Sequence, residues 1–191
     1  MSIVVNVLTP SCSWVAFDGS AQCEGKITTE FQRKAIMVNK NVCLGYTGTL
    51  EFAQQVIQNL EKHTVGVSEM KSDTIAYAIK KLLSIATDQL SDIPIVNFLI
   101  TGINSSNKLA TYTLGTKFSI HEHIPSEHQC LCTALYSAQN NLDFPSYMRQ
   151  KMRSGFITED MITTAIRNYI IAVSQIDTSV NTNITFMKIT L

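Results

Sequence analysis

The sequence predicts an α+β chain: two mainly antiparallel sheets packed face to face, with helices on both outer faces. Three observations lead there. Short segments such as Ile3–Leu8 and Ile95–Ile100 are apolar and rich in β-branched residues, without alternation, as in strands covered on both faces. Other segments are apolar at every third or fourth residue, the period of helices buried along one stripe. The two kinds do not alternate as in a βαβ chain. Strands come first, then two helices, strands again, two or three helices, and a final strand. No linker, repeat or low-complexity run interrupts them, so residues 1–191 are expected to form a single domain.

Taken in order, Ile3–Leu8 and Trp14–Phe17 form a hairpin across the turn signal Thr9-Pro10-Ser11. Ala35–Val38 and Val42–Tyr46 form a second pair across Asn39-Lys40-Asn41. Phe52, Val56 and Leu60, with Ala53 and Ile57, mark a helix with Thr49 at its N-cap and Glu51 in its first turn. Ile75, Ile79, Leu82, Ala86 and Leu90 mark another, opened by Ser72-Asp73 and stopped by Pro94. Ile95–Ile100 is a central strand that turns through Asn104-Ser105-Ser106-Asn107 into Leu109–Leu114. A third helix is expected over Cys132–Leu142. Thr158 caps a last long helix with a stripe of Met161, Ile162, Ala165, Ile166, Tyr169, Ile170 and Val173, and Ile184–Ile189 closes the chain as a strand.

Composition narrows the function classes. Fifteen basic and fifteen acidic side chains cancel, so nothing steers the chain to nucleic acid or to an anionic membrane. No apolar run reaches the roughly 20 residues that span a bilayer. Charged residues are only 16%, which favours burying faces in an oligomer. Five cysteines, an odd and scattered set, follow a start with no basic region and no cleavage site; together these predict reduced thiols and a cytoplasmic protein. Cys130 and Cys132 do not have zinc spacing. His121 and His123 would share a face on a strand, where a metal is conceivable, but the neighbouring Pro125 favours a solvated loop.

The chemistry centres on Ser2. Aminopeptidases remove an initiator methionine when the next residue is small, and Ser2 then carries a hydroxyl and a free α-amine. A serine hydroxyl needs a base to take its proton. An α-amine, with an ordinary pKa of about 7.7–8.0, supplies one near neutrality. The reaction further needs a cation to keep the amine neutral, a carboxylate to hold the cation, and an oxyanion hole. Asp18, at the end of the second strand, and Lys34, at the start of the third, supply the first two if those strands are neighbours at one end of a sheet. Gly48, where strand turns to helix, offers a backbone N–H for the oxyanion. Each of these residues also has a plain structural reading: a turn at Asp18-Gly19, a solvated lysine, a helix-entry glycine.

Asp18, Lys34 and Gly48 stand sixteen, thirty-two and forty-six residues after Ser2. With the surrounding VAFDGSAQ and CLGYTGTLEFAQQVI, this stretch resembles the N-terminal part of proteasome β subunits and of the bacterial HslV peptidase. Those proteins place a nucleophilic threonine, an aspartate, a lysine and an oxyanion-hole glycine at the same intervals. The resemblance continues more loosely: ALYSAQ puts Ser137 where the family has a serine entering its third helix, and Asp177 follows the last long helix, as the family's aspartate does. Ser137 as a helix-entry hydroxyl and Asp177 as a polar group after a helix are the structural alternatives. The resemblance implies the four-layer αββα sandwich of N-terminal nucleophile hydrolases. It implies cleavage of a peptide or amide bond through an acyl-Ser2 intermediate, with no metal or nucleotide required in the chain, and a homo-oligomer, with a ring as one option.

The sequence departs from the family at several points. The nucleophile is serine, which lacks the methyl that helps fix a threonine rotamer. Gly19, Ser20, Ala21 and Gln22 follow Asp18, without the family's threonine, and Asp177 is followed by Thr178-Ser179-Val180-Asn181 rather than a serine-glycine turn. Met1 must leave for the amine of Ser2 to act. Two further readings therefore accompany the peptidase: a catalytically inactive assembly or interaction protein, and a non-proteolytic amidase on the same fold.

Overall fold

The computed structural model describes residues 3–23, 26–29, 31–88, 90–136, 142–152 and 157–191, with residues 21–23 and 26–28 as backbone only. Strands β1 (Val4–Leu8) and β2 (Cys12–Asp18) form the expected hairpin. A short hairpin of β3 (Ala21–Cys23) and β4 (Lys26–Thr29) follows, then β5 (Ala35–Asn39) and β6 (Val42–Gly48). Next come α1 (Leu50–His63), α2 (Ser72–Thr87), β7 (Val96–Ile103), β8 (Leu109–Gly115), β9 (His121–His123) and β10 (Leu131–Leu135). Helices α3 (Phe144–Lys151) and α4 (Glu159–Ser174) and strand β11 (Ile184–Thr190) complete the order. Among the described residues, no helix is long and apolar enough to cross a membrane.

Two antiparallel sheets carry the fold, one ordered β10-β1-β2-β11 and the other β5-β6-β7-β8-β9. Ile3, Val5, Val7, Trp14 and Ala16 point to α3 and α4, whereas Val4, Leu8, Val15 and Phe17 point to the second sheet. That two-sided burial is why Val4–Leu8 is apolar almost throughout. In β6, Val42, Leu44 and Tyr46 pack under α1 and α2, and Cys43 meets the first sheet. Gly45 permits the close approach of the sheets: a Cβ there would lie 2.7 Å from Val4 Cγ1. The one polar residue in β1, Asn6, is fully buried. Its amide donates to Ser13 Oγ (2.7 Å) and accepts from Thr111 Oγ1 (2.7 Å), while Thr101 Oγ1 lies 2.9 Å from Ser13 Oγ. This network satisfies four side chains between the sheets and makes any slip of one sheet on the other costly.

Helix α4 buries Ile162, Ala165, Ile166, Tyr169, Ile170 and Val173, the predicted stripe without Met161. Each large aliphatic residue buried contributes about 1.5–3 kcal/mol before ordering entropy. Thr158 Oγ1 accepts from Met161 N at the helix start, as expected. Helix α3 was not anticipated. Asp143 caps it by accepting from Ser146 N, and Phe144 and Tyr147 pack on Tyr169.

Four expectations are corrected. The helix placed over Cys132–Leu142 is strand in its first part: β10 pairs with β1, Val7 opposite Cys132 and Val5 opposite Ala134. Cys130, Cys132 and Ala134 face the helices, and Leu131 and Leu135 face the other sheet. The segment has period two, and pairing satisfies a β1 edge that would otherwise be open. Helix α2 ends at Thr87, where Ser84 O accepts from Asp88 N and Thr87 Oγ1, so Leu90 lies beyond it. At its start the N-cap is Lys71, and Ser72 Oγ donates instead to Gly102 O. His121–His123 is an edge strand paired to β8 rather than a loop. Thr49 does hold the N-cap of α1, though its side chain makes no capping bond.

Candidate active site

The end of β2 delivers Asp18 into a fully buried position. Its carboxylate is compensated by four donors. Oδ1 accepts from Ile3 N (2.9 Å) and Lys34 Nζ (2.7 Å), and Oδ2 accepts from Ser20 N (3.0 Å) and Asn181 N (3.4 Å). Lys34 is 2% exposed. A buried ion pair persists only when the remaining lone pairs are also satisfied, and here they are.

The two residues meet in a way the sequence did not indicate. Lys34 precedes β5, which belongs to the second sheet, whereas Asp18 ends a strand of the first. They meet across the sheet–sheet interface, at one end of the sandwich, and not along one sheet. Tyr46 N donates to Lys34 O (2.8 Å) and Gln32 N to Gly19 O (2.7 Å), so backbone bonds from both sides hold the junction.

Burial pushes the Lys34 ammonium below its ordinary pKa of 10.5. Attraction from Asp18, the hydrogen bond to it, and the more distant charge of Asp177 oppose the shift without cancelling it. Asp177, 7% exposed, sits where α4 gives way to the last loop. Its Oδ1 accepts from the N–H of Ser179 (2.9 Å) and from the Ser179 hydroxyl. The loop then reaches back: Asn181 donates its N–H to Asp18 and accepts from Gly19 N through Oδ1 (3.0 Å). Sequence reasoning passed over Asn181 and Ser20. The available signal was an Asn in a polar turn directly before a strand.

Gly48 ends β6 two residues beyond Tyr46. Its φ is +104°, and a Cβ would lie 2.1 Å from Ile95 O, so only glycine fits. Thr49 N donates to that same carbonyl (2.9 Å). Among the described residues, two buried hydroxyls lack a hydrogen-bond partner, Ser20 Oγ and Thr47 Oγ1, one two residues after Asp18 in the chain and one next to Gly48. Ser2 and Ser137 lie outside the described residues. The structure thus joins Asp18 to Lys34 directly, brings Asp177 within electrostatic reach, and sets Gly48 at the end of β6, whose Tyr46 N–H bonds the Lys34 carbonyl.

No group of three or more His, Cys, Asp or Glu side chains among the described residues is placed to hold a metal ion. His123 Nε2 lies 3.5 Å from Thr113 Oγ1. Burial and the charge of His121 lower its pKa. No protein-family model matches the chain, and no curated protein matches it.

Proposed function

We propose that this chain is a proteasome-like N-terminal nucleophile hydrolase of the four-layer αββα type, cleaving peptide or amide bonds through an acyl-Ser2 intermediate. One observation carries the reading: a buried Lys34–Asp18 pair whose carboxylate also holds the N–H of Ile3, the residue that follows Ser2 in the chain. A buried ammonium serves this chemistry by disfavouring a second positive charge nearby, which keeps an α-amine neutral and basic. Asp18 orients Lys34 and compensates its charge. The two unpartnered hydroxyls support a site that takes a polar ligand, since an uncompensated buried hydroxyl costs about 1–3 kcal/mol.

In the proposed reaction the α-amine of Ser2 takes the hydroxyl proton as Oγ attacks the carbonyl carbon. The oxyanion is met by the N–H of Gly48. The C–N bond breaks, the leaving nitrogen takes the proton from the amine, and an ester on Ser2 remains. Water, deprotonated by the same amine, adds to the ester carbonyl; the ester C–O bond breaks, Ser2 Oγ takes the proton back from the amine, and the acid is freed. Asp177, held by Ser179, adds its charge to that of Asp18 at Lys34, and Ser137 is carried only by the resemblance. A homo-oligomer and a cytoplasmic location belong to the same proposal.

A second reading, an inactive assembly or interaction protein, is favoured by the glycine-free turn after Asp177. Intact mass of the protein from its native cells separates the two. A mass lacking methionine is expected, together with covalent capture of the terminal serine by an acylating probe. Retained Met1 and no capture would sink the hydrolase. Lys34→Ala, checked for its fold by circular dichroism, is expected to abolish turnover; full activity would refute the assigned mechanism.

A further inference from the structure

Beside Gly19 a groove of about 450 Å³ opens to the surface. Phe31 and Arg33 line it from the segment before β5, Arg167 from α4, and Thr182 and Asn183 from the loop before β11. Two arginines from remote parts of the chain thus line one concavity, and no lining residue among those described is acidic. Composition does not explain this, because the chain has equal numbers of basic and acidic side chains. Among the described residues, the nearby carboxylates of Asp18 and Asp177 are engaged by other partners. Asp18 is turned inward onto four donors, and Asp177 is buried on Ser179.

Arg167 is steadied by the ring of Phe186, with Cζ 5.4 Å from its centroid. Arg33 also lines a second groove, of about 320 Å³, bounded by Tyr46 and Gln54. It therefore stands between two concavities that flank the segment carrying Lys34. Phe31, 78% exposed, offers an apolar face to the stem of a bound side chain.

We infer that this groove is an anion-binding subsite, in which Arg33 and Arg167 take the carboxylate of an acidic side chain on a bound peptide. Paired guanidiniums suit a carboxylate because their planar donors match its two oxygens. The subsite rests on the hydrolase reading for its place in catalysis, but not for its binding. An extended peptide advances about 3.3–3.6 Å per residue. The groove adjoins Gly19, next to Asp18, so its occupant lies within a few residues of the bond to be cut.

The test is fluorescence anisotropy of a labelled decapeptide carrying two glutamates, against the same peptide with glutamines, on the whole protein. The acidic peptide is expected to bind at least about tenfold more tightly, and more weakly as salt rises. Arg33→Gln and Arg167→Gln, both exposed positions, are each expected to remove most of that preference. Equal affinity for the two peptides, including no binding of either, overturns the inference, as does a preference that survives in the double variant. Glutarate competing as well as the peptide would identify a free dicarboxylate as the ligand and overturn the peptide assignment. Cleavage of both peptides is followed separately by mass spectrometry. Acid-selective binding without cleavage leaves the subsite standing and removes the hydrolase; cleavage without acid selectivity does the reverse.

Discussion

Replacing Asp18 by Asn tests the centre of the site through stability alone. The carboxylate accepts from four donors at once, Ile3 N, Lys34 Nζ, Ser20 N and Asn181 N. An amide accepts at one atom only. With its oxygen toward Lys34 and Ile3, its NH2 group faces the N–H groups of Ser20 and Asn181; turned the other way, it faces Lys34. Each stranded donor costs about 1–3 kcal/mol. Breaking a buried ion pair costs about 3–5 kcal/mol. The two descriptions overlap, so the expected loss is about 3–5 kcal/mol, a large share of the roughly 5–15 kcal/mol that holds a domain folded. For a chain of this length that lowers Tm by roughly 6–20 °C. Asp18→Asn combined with Lys34→Met is expected to lose at least about 2 kcal/mol less than the sum of the single variants, because no unpaired ammonium remains. Urea unfolding of the four proteins in the cycle measures this. A single variant within about 1 kcal/mol of wild type, or a coupling near zero, would refute the four-donor account.

Three further outcomes are expected. Gly48→Ala forces a side chain into a positive-φ position against Ile95 O, and should cost about 1–3 kcal/mol or more by thermal denaturation; an unchanged Tm would contradict the geometry. Gly45→Ala should cost about 1–3 kcal/mol by pressing Cβ on Val4 Cγ1, and adding Val4→Ala should recover part of the loss; no recovery would mean that the sheets do not meet there. Because the folded pKa of Lys34 lies below the ordinary 10.5, the unfolded chain binds a proton in that window that the folded chain does not. Stability therefore rises with pH across the window, the penalty being full below the folded pKa and gone above 10.5. The urea midpoint of wild type should gain on that of Lys34→Met as pH approaches 10.5, and a flat difference would sink the assignment.

Elements specified by local pattern are the ones the chain announces. The stripe from Ile162 to Val173 and the hydroxyl of Thr158 make α4 whatever surrounds it. The unbroken apolar run in β1 already says that both its faces are covered, and the intervals from Ser2 to Asp18, Lys34 and Gly48 are covalent facts of the chain. Leu131–Leu135 is the contrary case. Five residues fit either period, and β1, more than a hundred positions away, settles the choice by pairing with them. The site depends on such distant partners even more. That Asp18 and Lys34 meet across two sheets, that Asn181 returns to the Asp18 carboxylate, and that Arg33 and Arg167 share one groove all follow from contacts between remote segments. Side chains at those positions are chosen for neighbours that come together only on folding. They leave no periodicity behind them, because a contact across the fold constrains one residue at a time, whereas a helix or strand constrains every turn or pleat of its length.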